Sequence, residues 1–301
     1  MAADSQQALH VLVAVDGSES AMSAVHWVAQ LGVDEASLRC TLLNVKKPIM
    51  SGEVGVLAPV SVALDERGRT AADVLERAAS ILRAGKIPFE TEDRMDDAAI
   101  AIASRAKSLG CDAIVIGRRG MGIVRAALLG SVSSEVVRKS GIPTIIVRAS
   151  SGAAPAVPPR FLIAVDGSES AMRAARFSLR LAGLCHGEVD LVHVQSGLTM
   201  AESAFGSRDS LIAHWSGKRA EEVLEGIRAG LARAGVKYVE HVIASDDACS
   251  AILEVARKSS CSIIAMGTRG LGPITGLLLG SVAQGVLEHA SPGVSAVALV
   301  Q

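Results

Sequence analysis

Aromatic residues are scarce, with four Phe, two Trp and one Tyr in 301 residues. A chain so poor in rings lacks platforms on which the bases of a single strand could stack. Its core must come from Ala, Val, Ile and Leu, the composition of buried parallel strands covered by helices. A surplus of one charge is missing too. Lys and Arg number 30 against 31 Asp and Glu, for a net charge of -1. That removes the electrostatic case for nucleic acid or an anionic membrane as partner. The cysteines, Cys40, Cys111, Cys185, Cys249 and Cys261, are odd in number and form no CxxC pair. They read as buried reduced thiols rather than a disulfide framework or a zinc site. No Lys or Arg precedes Arg39, so no basic leader is visible. The uncharged stretch from Gly270 to Leu287 holds Pro273 and five glycines. It reads as a loop entering a helix, not as a membrane span. The expectation is a soluble, cytoplasmic protein.

What the chain does contain is a long internal repeat. Ala14–Met22 (AVDGSESAM) recurs as Ala164–Met172, and Ile116–Gly122 (IGRRGMG) returns as Met266–Gly272 (MGTRGLG). Leu128–Val132 (LLGSV) and Asp96-Asp97-Ala98 recur at Leu278–Val282 and Asp246-Asp247-Ala248. A period this long is a duplicated domain, not a solenoid. The expected division is residues 1–149, a Pro- and Ala-rich linker over 150–159, and residues 160–301. In the first copy, apolar runs predict strands at Val11–Val15, Cys40–Val45, Ile87–Glu92, Ala113–Ile116 and Thr144–Val147. Helices are expected at Ser20–Leu31 behind a Ser18 cap, Asp65–Ala84, Ala98–Leu109 and Ser131–Lys139. The second copy repeats the order, with strands near Phe161–Val165, Val189–Val194, Tyr238–Ile243, Ser262–Met266 and Val294–Val300. This alternation predicts an α/β protein of two tandem open parallel five-stranded sheets with helices on both faces. Such sheets bind ligands beyond the carboxyl ends of their strands. Asp16, Val45 and Gly117 stand at those ends.

The informative constellation is Gly117-x2-Gly120-x9-Gly130-Ser131, repeated as Gly267-x2-Gly270-x9-Gly280-Ser281. Glycine lets backbone N–H groups approach an anion and permits positive φ. Gly130 and Ser131 begin a predicted helix, where free N–H groups and the dipole favour phosphate, and the serine hydroxyl can donate as well. A tight strand-to-helix connection with Ser131 as a mere cap is the plainer alternative; the doubled spacing favours phosphate. No Lys-[Ser/Thr] pair follows the glycines, so this is not a P-loop.

On these residues the chain resembles a tandem universal stress protein of the nucleotide-binding type, whose signature G-x2-G-x9-G-[ST] both copies match. The resemblance covers nearly all of both copies. It implies sheets of order 3-2-1-4-5 and one ATP, or another adenine nucleotide, at the strand ends of each copy, with Mg²⁺ held by the phosphates. It places Asp16 and Asp166 by the nucleoside, Val45 and Val194 against adenine, and Ile116 and Met266 beside the nucleoside. Gly117, Gly120, Gly130, Ser131 and Val132, and Gly267, Gly270, Gly280, Ser281 and Val282, would hold ribose and phosphates, with Arg119 and Arg269 beside them. It also implies pairing of the two copies through their last strands, and a homodimer remains open. One departure is Ser291-Pro292-Gly293-Val294, where the proline comes early before the last strand.

The function expected is a regulatory, ATP-binding stress-response protein with little or no turnover. The rivals are a slow ATPase, a module for AMP or cyclic AMP, and an interaction protein whose nucleotide only stabilises the fold. Against an enzyme, His193 falls opposite Asn44, so no histidine is shared by both sites, and no G-x-S-x-G elbow occurs. The Met50–Val62 and Ser196–Ser207 loops differ between copies and could carry partners or lids. Arg118, Arg119 and Arg125 face Thr268, Arg269 and Thr275, and Pro273 has no counterpart in the first copy. That contrast predicts tighter triphosphate binding at the first site.

Overall fold

The computed structural model describes residues 8–34, 36–47, 70–120, 129–148, 158–195, 221, 224–270 and 279–301. The chain divides into two units, the main break falling between Ala149 and Ser150.

The first unit contains β1 (Leu9–Ala14), α1 (Glu19–Ala29), β2 (Leu38–Lys46), α2 (Ala71–Ala84), β3 (Phe89–Met95), α3 (Ala98–Ser108), β4 (Ala113–Gly117), α4 (Ser131–Lys139) and β5 (Thr144–Val147). Its strands run in the order β3-β2-β1-β4-β5, the expected 3-2-1-4-5. Every pairing is parallel, as in Val11↔Cys40 and Val11↔Ala113. The second unit repeats this with β6 (Arg160–Ala164), α5 (Glu169–Leu184), β7 (Glu188–Gln195), a helix α6 over 224–234, β8 (Tyr238–Ala244), α7 (Ala248–Lys258), β9 (Ile263–Gly267), α8 (Ser281–His289) and β10 (Ala296–Val300). Its order is β8-β7-β6-β9-β10, again all parallel.

Side-chain patterns explain the positions. Every residue of β1 is buried, as a central strand covered on both faces requires. The edge strands β3 (FETEDRM) and β8 carry the polar and exposed residues. In the first unit α1 packs beside α2 and α3 beside α4. All five cysteines are free and four are buried, which pushes their thiols up, Cys111 to about 11.

Some boundaries differ from the sequence reading. The helix expected from Asp65 starts at Ala71, because Thr70 and Asp73 form a reciprocal capping box. The last strand of the second unit begins at Ala296 rather than Val294. Pro292 and Gly293 form a turn first, and Val297 rather than Val294 pairs with Ile264, where Thr144 pairs with Ile114. The linker's central residues and the two loops that differ between copies lie outside the described residues.

Three strands of the second unit meet at a polar cluster that the first unit lacks. The buried Asp190 of β7 accepts from Arg160 Nε of β6 (2.6 Å), pairs with His241 Nε2 of β8 (2.6 Å), and accepts from Ser259 Oγ beyond α7 (2.8 Å). Burial pushes the Asp190 carboxyl up, but these hydrogen bonds outweigh it and hold the group below the ordinary Asp value.

Candidate functional site

In an order 3-2-1-4-5, the connections after β1 and β4 leave for opposite faces, and a crevice opens between those strand ends. The turn after β1 is built by its own residues. Asp16 Oδ1 accepts from Ser18 N at 2.9 Å, Gly17 takes φ 87°, and Ser18 Oγ accepts from Ala21 N at 3.1 Å to cap α1. The second unit repeats it with Asp166, Gly167 at φ 83° and Ser168.

Across the crevice, the loop after β4 is pinned at both ends. Arg118 N donates to Val147 O, and Gly130 N donates to Arg118 O at 2.9 Å. In the second unit Gly280 N donates to Thr268 O at 2.8 Å. Helices α4 and α8 then begin at Gly130 and Gly280, neither of which supplies a side-chain cap. By contrast α1, α2, α3, α5 and α7 all start with a side-chain cap. Ser131 and Ser281 are the first helical residues, not caps. The amides at the start of α4 and α8 therefore have neither an intrahelical nor a side-chain acceptor, and they border a cavity.

Each unit holds one such cavity of about 420 Å³. In the first, Asp16, Val45, Ile116, Gly117, Arg119, Gly120, Gly130, Ser131 and Val132 all line it. In the second, Asp166, Val194, Met266, Gly267, Arg269, Gly270, Gly280, Ser281 and Val282 do the same. Two faces are chemically distinct. Leu43, Val45, Ile102 and Ile116 form an aliphatic wall, matched by Val192, Val194, Ile252 and Met266. The same cavities are also lined by the polar helix start and the Asp carboxylate. Ala98, Ile102, Ala248 and Ile252 were not among the expected contacts. The repeated Asp-Asp-Ala tripeptide pointed at this helix start, since Asp97 and Asp247 cap it.

Three readings need correction. The signature glycines do not use positive φ; at the crevice it is Gly17 and Gly167, in the turns after β1 and β6, that do. Nor do the first two glycines simply make room for a ligand. A Cβ on Gly117 would stand 2.6 Å from the Ser20 backbone, and one on Gly120 would stand 2.5 Å from Asp16 Oδ2. Gly117 lets the loop lie against the start of α1, and Gly120 lets it pass the Asp16 carboxylate. Finally, Arg118 does not line the first cavity. It lies near Arg148, whose guanidinium pKa is lowered by burial and by the Arg118 charge. Arg125, Pro273 and Thr275 lie outside the described residues, so the charge contrast between the sites loses its structural support.

Asn44 and His193 play one part in two chemistries. Asn44 Nδ2 donates to Val15 O at 2.7 Å, and His193 Nδ1 meets the matching Val165 O at 2.8 Å. Each ties the second strand of its unit to the end of the first. Among the described residues, no group of three or more His, Cys, Asp or Glu is placed to hold a metal ion. None of the described helices is long and apolar enough to cross a membrane.

A model of the universal stress protein family matches residues 8–148 and again 159–297. The chain belongs to the universal stress protein family. A universal stress protein of Mycolicibacterium smegmatis is 27% identical over 303 residues, covering 95% of this chain and 96% of that protein. A crystal structure of a universal stress protein from Archaeoglobus fulgidus shares the fold across 97% of this chain and 98% of its own, with TM-score 0.69 and 22% identity. A family protein of Arabidopsis thaliana solved with AMP bound aligns to 50% of this chain and 97% of its own, with TM-score 0.35 and 20% identity. Tandem duplication of one universal stress protein unit therefore accounts for nearly the whole chain.

Proposed function

We propose that each cavity binds an adenine nucleotide, ATP foremost, and that the protein is a stress-response regulator with little or no turnover. The observation that carries this reading is the pair of uncapped helix starts, Gly130-Ser131 and Gly280-Ser281, each opening onto a cavity with an aliphatic wall. An anion completes a helix that carries no cap of its own. The aliphatic wall suits a flat base and needs no ring to stack on it. The Asp16 and Asp166 carboxylates can only accept when ionised, so they suit ribose hydroxyls or amino donors and would repel phosphate. Arg119 and Arg269 supply positive charge at matching positions.

The residues fit Mg²⁺ only as a guest of the nucleotide. Asp16 and Asp166 are single carboxylates, each with one oxygen engaged by a backbone N–H. A magnesium ion usually keeps phosphate oxygens and waters as its main ligands. In this reading it would sit on the phosphates and offset charge that one arginine per site leaves unbalanced.

The test is acid extraction of freshly purified protein, with ion-pair chromatography of the extract, followed by calorimetric titration of the stripped chain. ATP, ADP or AMP is expected in the extract or to bind at micromolar concentration. EDTA should weaken ATP more than AMP. Absence of heat and of thermal stabilisation with all three nucleotides would overturn the reading.

A further inference from the structure

The two cavities are alike in volume but not in what the first turn of the following helix offers them. In the second unit Gln284, the fourth residue of α8, lines the cavity. Its counterpart Ser134 in α4 does not line the first cavity. Gln284 is exposed, and no described group engages its side-chain amide, while its backbone N–H donates to Gly280 O at 2.9 Å. Side chains on a helix tilt toward its N-terminus, so a residue one turn in leans over the uncapped amides. A glutamine is long enough to reach an anion held there, and its NH₂ carries two donors. A serine at the same position has neither the length nor the second donor. The neighbouring residue differs in the same sense. Ser133 in the first cavity has its hydroxyl committed to Gly117 O at 2.9 Å, and Ala283 in the second has no hydroxyl. Among the described residues, the second site thus has one uncommitted amide over the helix start that the first site lacks.

We infer that Gln284 is a phosphate-side ligand of the second site with no equivalent in the first, so that the second site discriminates more sharply for the phosphate chain. This rests on the nucleotide reading above. It reverses the direction expected from the loop arginines, of which Arg118 stands outside the cavity.

The experiment uses the full chain carrying Ser131→Glu. A carboxylate at the first helical position favours the helix but repels an anion, which silences the first site without loosening the fold. ATP and adenosine are titrated by calorimetry into this chain with Gln284, Gln284→Ser and Gln284→Glu. One neutral hydrogen bond predicts that Gln284→Ser weakens ATP by about two- to tenfold, with adenosine unchanged. Gln284→Glu keeps the shape and adds repulsion, so its larger loss for ATP should shrink as salt is raised. Equal losses for ATP and adenosine, or ATP affinity indifferent to both substitutions, would overturn the inference. If the unmodified chain binds none of the adenine compounds, the nucleotide reading itself fails, and this inference with it.

Discussion

The signature glycines divide into two kinds, and one alanine at each separates them. At Gly117 a Cβ would lie 2.6 Å from the carbonyl carbon, the carbonyl oxygen and Oγ of Ser20. Two of those atoms are backbone, at the start of α1, so relief requires the helix start or β4 to move. Overpacking of this kind costs about 1–3 kcal/mol, and a backbone obstacle argues for the upper end. For a unit of this size, about 3 kcal/mol lowers Tm by roughly 6–12 °C. At Gly130 the nearest atoms to a Cβ are Arg119 Cα at 3.5 Å and Gly120 N at 3.6 Å, ordinary contact distances. Its φ is -61°, open to any residue. Alanine there gains about 0.4–1 kcal/mol from a less flexible unfolded chain and loses up to about 1 kcal/mol of glycine's preference for the cap position. The net is near zero, yet the added methyl stands at the helix start where an anion must approach. Gly117→Ala should therefore destabilise the first unit with or without ATP, whereas Gly130→Ala should melt within a few degrees of the unmodified chain and bind ATP at least about tenfold more weakly. Thermal unfolding of both variants with and without ATP, with calorimetry on Gly130→Ala, reads both effects. The reasoning is refuted if Gly130→Ala is as unstable as Gly117→Ala, or if Gly117→Ala folds normally and loses only nucleotide.

Three further outcomes follow from other parts of the molecule. Asp190→Asn should cost the second unit about 2–3 kcal/mol, below the value for a fully buried pair, because Arg160 and His241 are partly exposed and can turn to water. The folded Asp190 carboxyl is held below its ordinary value, so its contribution is fully present above about pH 5 and is lost as pH falls through the folded value; denaturant titrations should show the gap between native and variant closing toward acid, and a gap constant with pH would contradict this. Steady ATP consumption should stay below about 1 s⁻¹, and His193→Asn should change neither it nor nucleotide affinity, since Asn44 already makes the equivalent bond; ordinary enzyme rates abolished by changing Asp16 and Asp166 together would show the opposite. Separately expressed units should associate through their last strands in sedimentation equilibrium, with Ile146→Lys preventing it; units that remain monomeric at every concentration would end that expectation.

How much of this was legible in the sequence depended on whether a feature was local or doubled. Strands such as Ala113–Gly117 and caps such as Ser18 announce themselves in a few adjacent residues, and the repeat marked the loop after β4 twice. The order of strands was not in the pattern of apolar runs and came with the resemblance. The glycine spacing was visible, but not the reason for it. Gly117 faces Ser20, nearly a hundred residues earlier, and no local pattern records that closeness. The Asp190 cluster was less accessible still. It joins Arg160, His241 and Ser259 from separate elements, and its counterpart in the first unit is Thr41, which pairs instead with His10 Nε2 at 3.0 Å. Comparing the copies therefore finds what both units share and passes over what one of them has replaced. The same blindness explains Arg118. By spacing it belongs to the phosphate loop, yet it lies near Arg148 and does not line the cavity, whereas Arg119 does. A charge counted along the chain becomes a charge at the site only when the backbone turns it inward. In the second unit Thr268 takes that position and lines the cavity beside Arg269, and the uncommitted amide of Gln284 is added from one turn into α8.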